Sequence, residues 1–304
     1  MPISRAETGA EPLLTEARER TDALLESWAA RLERRFPGDR GRAMAYALRS
    51  PGKRVRPALV IAAYRACGGT SPAIEGVGAA VEAVHTYSLV HDDLPCMDDD
   101  DLRRGRPTTH REFDIPTATR VGFLLVPVAA QILAEAGRAL ELPPATVGRL
   151  AVELFTAGGI TGMVGGQWLD LEAEGRALAL DELRGVHRGK TGALIEASCT
   201  LGALSAGAAP AQLDAIREYG REVGLAFQVA DDVLDVTATS EELGKTAGKD
   251  AAVAKSTYVQ LLGVEGAQAA AAGHAEAALN SLGRSGVPSG ALAALARYIV
   301  TRRH

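Results

Sequence analysis

Apolar residues recur at three- and four-residue steps along most of the chain. Ile74, Val77, Val81, Val84 and Tyr87 form one such series, and Val223, Phe227, Ala230 and Leu234 form another. Leu150, Leu154 and Ile160, then Leu194, Ala197 and Leu201, carry the same period between them. This is the spacing of a helix that buries one face. Period-two alternation is scarce, and aromatic residues make up only 4% of the chain, so a sheet has little to be built from. Helix breaks are expected at Ser50-Pro51-Gly52, Gly68-Gly69-Thr70-Ser71-Pro72, Leu142-Pro143-Pro144, Ala208-Ala209-Pro210 and Gly286-Val287-Pro288. None is long or polar enough to serve as an interdomain linker. The alanine-rich stretch from Glu265 to Ala278 reads as helix. The pattern predicts a single all-α domain of ten or more helices over residues 16–304, behind a disordered stretch at 1–15.

Composition narrows the class. The chain has 304 residues, of which 47% are apolar and 23% charged, with a net charge of −5. This balance gives no general attraction to nucleic acid or to membrane surfaces. Three cysteines, Cys67, Cys96 and Cys199, are odd in number and far apart, which excludes a disulfide framework or a cysteine zinc site. The first fifteen residues lack an apolar signal core, and no uninterrupted apolar run is long enough to span a bilayer. A cytoplasmic globular protein is expected.

Two acidic clusters interrupt the apolar pattern. His91-Asp92-Asp93-Leu94-Pro95-Cys96-Met97-Asp98-Asp99-Asp100-Asp101 runs into Leu102-Arg103-Arg104-Gly105-Arg106, and Asp231-Asp232-Val233-Leu234-Asp235 closes the later series. Carboxylates set in helix-forming apolar sequence are costly unless a cation neutralises them. Asp231 and Asp235 are four apart and share a helical face, with Gln228 one turn earlier. Asp92 and Asp98 are six apart, about 120° out of phase on a straight helix. Pro95 resolves this by ending the helix, so that Asp98 folds back towards Asp92. Two carboxylate pairs beside Lys and Arg suit Mg²⁺ shared with a diphosphate. An acidic solvated loop is the alternative reading of either cluster alone.

The basic residues point the same way. Gly52-Lys53-Arg54-Val55-Arg56-Pro57 is a turn entering a helix, with Lys53 and Arg56 three apart. Arginine grips phosphate oxygens in a fork and lysine acts as a point charge. His85 is seven residues before Asp92, on nearly the same face, either as a core histidine or as a ligand contact. Gly189-Lys190-Thr191-Gly192 lacks the upstream glycine of a nucleotide P-loop, because position 184 is Arg. Lys245, Lys249 and Lys255 lie in a glycine-containing segment that could close over phosphates.

Together these motifs resemble the trans-isoprenyl diphosphate synthases, most nearly the bacterial farnesyl diphosphate synthases. The run from His85 to His110 resembles their first aspartate-rich motif, Asp231–Asp235 their second, and Gly52–Pro57 their isopentenyl diphosphate site. Gly165-Gly166-Gln167-Trp168-Leu169-Asp170, Lys190-Thr191-Gly192 and Leu243-Gly244-Lys245 follow in the family's order. The resemblance covers roughly residues 20–304. It implies the all-α isoprenoid synthase fold around a central apolar cavity, in a homodimer. It further implies three Mg²⁺ ions per site, held by Asp92, Asp98 and Asp231 with support from Asp93, Asp232 and Asp235. Arg103, Lys190 and Lys245 would hold the allylic diphosphate, and Gly52, Lys53, Arg56, His85 and Arg104 the isopentenyl diphosphate. Thr191 and Gln228 would set oxygen dipoles beside the allylic carbocation.

Product length follows from helix geometry. Tyr87 lies five residues before Asp92, about 7.5 Å by helical rise, and its ring would close the floor beneath the growing tail. With Ser88 it is the expected chain-length position; an aromatic there together with the insertion Pro95-Cys96 resembles the bacterial farnesyl diphosphate synthases, and that resemblance makes farnesyl diphosphate the expected product. Ordinary core packing of Tyr87 is the alternative. The family pattern is departed from at Thr117-Ala118-Thr119-Arg120-Val121-Gly122-Phe123-Leu124-Leu125-Val126-Pro127, where Phe123 replaces a small acidic turn and Pro127 should kink the helix. Geranylgeranyl diphosphate synthesis is therefore the nearest alternative. A class I terpene synthase and a non-catalytic subunit fit less well, because the isopentenyl diphosphate residues and both acidic motifs stand.

Overall fold

The structure, a computed structural model, describes residues 9–173, 175–237 and 256–302. Its helices are α1 (Glu11–Arg35), α2 (Asp39–Leu48), α3 (Val55–Ala66), α4 (Glu75–Asp92), the single turn α5 (Thr109–Glu112) and α6 (Ile115–Ala139). They continue as α7 (Pro144–Ala157), α8 (Met163–Glu172), α9 (Leu180–His187), α10 (Ala193–Ser205), α11 (Pro210–Thr237), α12 (Tyr258–Ser285) and α13 (Gly290–Thr301). All five proline- and glycine-marked breaks fall between helices. Strand structure among the described residues is confined to a two-residue hairpin, β1 (Leu102–Arg103) paired antiparallel with β2 (Arg106–Pro107).

Two expectations need correction. Residues 11–15 are not a loose leader: they open α1, and Leu13 and Leu14 are buried. Ile160 lies beyond the end of α7 and is 72% exposed, so its place in the apolar series was coincidental. Pro127 sits inside α6 on its exposed side, and the helix continues past it. That proline has no hydrogen to give the Phe123 carbonyl one turn back.

The core is built around two helices buried on nearly every side, α4 and α10. Helix α4 packs along α6 and against α3, and α10 packs between α3 and α11. Small residues set these crossings. A side chain at Gly202 would overlap the Val60 carbonyl of α3, and one at Gly78 would press on Pro57. Helix α6 is the one described helix long and apolar enough to cross a membrane by length and composition. Here it packs as a core helix, with Val121, Leu125, Ile132 and Leu133 buried.

Candidate active site

Helix α4 stops at Asp92, as Pro95 demands, and the chain doubles back. The Asp98 amide donates to the Asp92 carbonyl at 2.8 Å and the Asp100 amide to the Asp93 carbonyl at 3.3 Å. This brings Asp98 to the end of α4, as expected from the sequence. Desolvation there pushes the Asp92 carboxyl up to about 7; Lys190 pulls it back and Asp98 adds to the rise. Asp93 turns inward, only 3% exposed, and accepts from both Nε and Nη2 of Arg103, which also reaches Asp100 at 3.0 Å. Burial pushes Asp93 up to about 6 against the pull of Arg103. Asp93 is thus the anchor of Arg103.

The second acidic motif lies near the C-terminal end of α11. Asp231 pairs with Arg302, whose guanidinium stacks 3.8 Å above the Phe227 ring. Asp232 is buried and accepts from the Tyr258 amide at 2.8 Å and from Gln228 Nε2 at 3.2 Å. Gln228 therefore belongs with Asp232 rather than with Asp231, and its Oε1 accepts from Thr191 Oγ1 at 2.7 Å. Asp235 is half-buried on the next turn.

Lys190 and Thr191 stand on a π-helical turn, Arg188–Gly192, joining α9 to α10. Such turns are rare and cluster at functional sites. Glycines make this one fit. Any side chain at Gly166 of α8 would overlap the Lys190 backbone, and one at Gly224 of α11 would meet the Cα of Gly192 at 2.8 Å. The close approach to α8 sets Lys190 Nζ 2.6 Å from Asp170 Oδ2. Burial alone would lower the Lys190 pKa, but Asp170, Asp98 and Asp92 outweigh it and raise it. The first acidic motif, Asp170 and the π-turn therefore face one another.

The basic half of the site is held by a residue that spacing gave no reason to single out. Arg54 adopts a left-handed φ of 52° and is 4% exposed. Its guanidinium donates to Asp22 of α1 at 2.7 Å, Glu82 of α4 at 2.6 Å and the Ser50 carbonyl at 2.7 Å. It staples the 50–54 loop to two helices. At the hairpin turn Arg104, with φ 55°, donates to the Pro51 carbonyl. A Cβ on Gly52 would lie 2.5 Å from its guanidinium, so a larger residue there would displace Arg104.

The cations gathered here work against one another. Lys53 is lowered by burial and then by Arg302, with Asp231 opposing. Burial pushes Arg56 down to about 10, Glu82 opposing and Arg104 adding to the fall, and its Nε is buried without a hydrogen-bond partner. Arg104 is lowered chiefly by desolvation. His85 is held well below its ordinary range by burial and by Arg56, Arg104, Arg54 and Arg103. Partly desolvated cations that crowd one another in this way are complementary to a polyanion.

Comparison with known proteins decides the family. The model of the polyprenyl synthetase family matches residues 41–285. The chain belongs to the polyprenyl synthetases. The farnesyl diphosphate synthase of Geobacillus stearothermophilus is 40% identical over 299 residues, 98% of this chain and 100% of that one. A chloroplastic heterodimeric geranylgeranyl pyrophosphate synthase large subunit of Arabidopsis thaliana is 44% identical over 266 residues, 86% of this chain and 72% of that one. Among solved structures, a geranyltransferase of Helicobacter pylori complexed with magnesium and isoprenyl diphosphate superposes with a TM-score of 0.80 at 32% identity, covering 98% of each chain.

In this polyprenyl synthetase Asp92 and Asp98 face Lys190, Thr191 meets Gln228, and Lys53, Arg56, Arg104 and His85 gather near Asp231, while Lys245, with Lys249 and Lys255, lies outside the described residues. Tyr87 is buried in α4, its hydroxyl donating to the Gly158 carbonyl at 2.8 Å, and burial pushes it up to about 12. Ser88 Oγ donates to the His85 carbonyl at 2.9 Å. The donor set at the acidic end is all oxygen and fits magnesium. Among the described residues no three acidic, histidine or cysteine groups converge into a closed cage, so substrate oxygens and water would complete the shell, as Mg²⁺ commonly requires. Sequence reasoning overlooked Arg54, Asp22, Glu82 and Arg302. The paired glycines around Gly166 and Gly189 were a legible signal of close backbone approach that went unread.

Proposed function

We propose that this protein condenses isopentenyl diphosphate with dimethylallyl and geranyl diphosphate to give (E,E)-farnesyl diphosphate, releasing diphosphate at each step. The observation that carries this is the sign reversal along α4: crowded cations around His85 and desolvated carboxylates at Asp92, two turns further on. Lys53, Arg56 and Arg104, with His85 and the close backbone of Gly52, hold the diphosphate of isopentenyl diphosphate. Arg103 and Lys190, oriented by Asp93 and Asp170, hold the allylic diphosphate. Asp92, Asp98 and Asp231, with Asp235 beside them, would hold magnesium, three ions in the full complement. Bound there, Mg²⁺ supplies charge neutralisation for the leaving diphosphate.

The allylic C–O bond breaks and its electron pair leaves with the diphosphate. Thr191 and Gln228 set oxygen dipoles near the cation that forms. The isopentenyl double bond attacks the allylic carbon, and the proton lost in restoring a double bond goes to the departing diphosphate. Tyr87 limits the tail to fifteen carbons. Phe123, Val152, Ile160, Val164 and Trp168 are large apolar residues exposed at 42% or more on and around α6–α8, and this face is the homodimer contact.

The test is incubation of purified protein with labelled isopentenyl diphosphate, Mg²⁺ and dimethylallyl, geranyl or farnesyl diphosphate in turn, with products dephosphorylated and sized. A predominantly C15 alcohol is expected. Predominantly C20 would keep the reaction and remove the Tyr87 floor, and absence of condensation would overturn the proposal. Ile160→Glu, with sedimentation velocity as the readout, tests the dimer: it should shift the protein towards monomer.

A further inference from the structure

The side of Tyr87 away from its hydroxyl is closed by a chain of rings that leads to the protein surface. Tyr87 and His91, one turn apart on α4, meet edge to face with centroids 6.1 Å apart at 78°. His91 then meets Phe123 of α6 at 5.1 Å and 76°. The imidazole is fixed in its slot: Nε2–H donates to the Thr119 carbonyl at 3.0 Å, and the ring fills the space that a side chain at Gly122 would take. Phe123 is 66% exposed, so its own burial does not account for its position. Pro127 also deprives its carbonyl of the usual partner one turn on.

We propose that Phe123 and His91 are positioning residues for product length, holding the Tyr87 ring in place from the far side of α6. The inference rests on the elongation reading above and deepens it. Tyr87 has two restraints, the Gly158 hydrogen bond at its hydroxyl and the His91 ring along its side. A hydrogen bond at the hydroxyl still lets the ring turn about its own Cβ–Cζ axis, and the edge-to-face contact with His91, itself backed by Phe123, fixes that turn. Phe123 lies outside the core of the single chain and on the face assigned above to the dimer contact, so the ratio is compared among variants that sediment as the parent does.

The experiment measures the C20:C15 product ratio of Phe123→Ala, Phe123→Tyr, Tyr87→Ala and the double variant Tyr87→Ala/Phe123→Ala, with melting curves and sedimentation as controls. Phe123→Ala should raise the ratio by about two- to tenfold, the span to which one edge-to-face ring pair converts, with the KM for isopentenyl diphosphate unchanged. Phe123→Tyr should keep the parental ratio. In the Tyr87→Ala background Phe123→Ala should add nothing, because its effect passes through Tyr87. An unchanged ratio in Phe123→Ala overturns the inference, and so does an equal increment in the Tyr87→Ala background. Failure of the parental protein to condense anything is a distinct result and removes the elongation reading instead.

Discussion

Replacing Glu82 by glutamine leaves the Arg54 guanidinium buried and short of its deepest counter-charge. Both side chains of the pair are 3% exposed, whereas the second partner, Asp22, is 43% exposed. Removing one member of a buried ion pair costs about 3–5 kcal/mol. Arg54 keeps Asp22, the Ser50 carbonyl and the neutral amide oxygen that replaces the carboxylate, so about 2–4 kcal/mol is expected from urea unfolding. The functional consequence is separable. Arg54 is held at φ 52°, a conformation costing on the order of 1 kcal/mol for a residue with a Cβ. Once the pair is broken the 50–54 loop can relax, and Gly52 and Lys53 move with it. The KM for isopentenyl diphosphate should rise about tenfold, equivalent to about 1.4 kcal/mol, while the KM for geranyl diphosphate stays within about twofold. The double variant Arg54→Met/Glu82→Leu decides the matter. Apolar replacement of a buried pair commonly restores stability, but nothing in it ties the loop to Asp22 or Ser50. Stability should recover and the isopentenyl diphosphate KM should not. Recovery of both, or a KM unmoved in every variant, would refute the staple.

Gly52→Ala places a Cβ 2.5 Å from the Arg104 guanidinium, so isopentenyl diphosphate binding should weaken by about tenfold in equilibrium titrations while the melting temperature changes little. Gly166→Ala would drive a methyl group into the Lys190 backbone; kcat should fall by about a hundredfold, and near-wild-type turnover would mean the π-turn does not position Lys190. His187 is buried, stacked on Tyr258 at 5.6 Å, and depressed to about 4 from 6.5 chiefly by burial. Its folded pKa lies below its unfolded one, so stability is full above about 6.5 and is lost as pH falls towards 4. About 2 kcal/mol should be gone at pH 5, an effect that His187→Phe should flatten in urea titrations, leaving the same-signed contribution of His85.

What the sequence disclosed and what it withheld divide along a physical line. The five helix breaks marked from the sequence were legible because proline and glycine act on their own backbone, and Pro95 foretold the fold-back of Asp98 for the same reason, whereas the breaks at 36–38, 158–162 and 173–179 were not marked. Arg54 was not legible, because its partners Asp22 and Glu82 lie 32 and 28 residues away and are brought to it by packing alone. The pairing of Arg302 with Asp231, 71 residues apart, is of that kind too. Local pattern also misled where two geometries share a spacing: Ile160 continued an apolar series past the end of its helix, and Gln228 was phased with Asp231 yet bonds Asp232. The π-turn at Lys190 fell between these cases, since its cause is the bulk that Gly166 and Gly224 lack.

Helix α4 ties the legible half to the other. It carries His85 among crowded cations and, seven residues on, Asp92 among desolvated carboxylates, a separation of about 10.5 Å by helical rise. Each end alone is electrostatically unfavourable: the cations depress one another, and the carboxyls are raised towards neutrality. Neither condition is relieved by folding, and a sequence selected for stability alone would substitute both ends. One ligand that is anionic at the His85 end, and another that arrives with cations at the Asp92 end, relieve both. Two diphosphates, one of them with metal, satisfy that requirement, and the rigid rise of α4 sets how far apart the two charged ends lie.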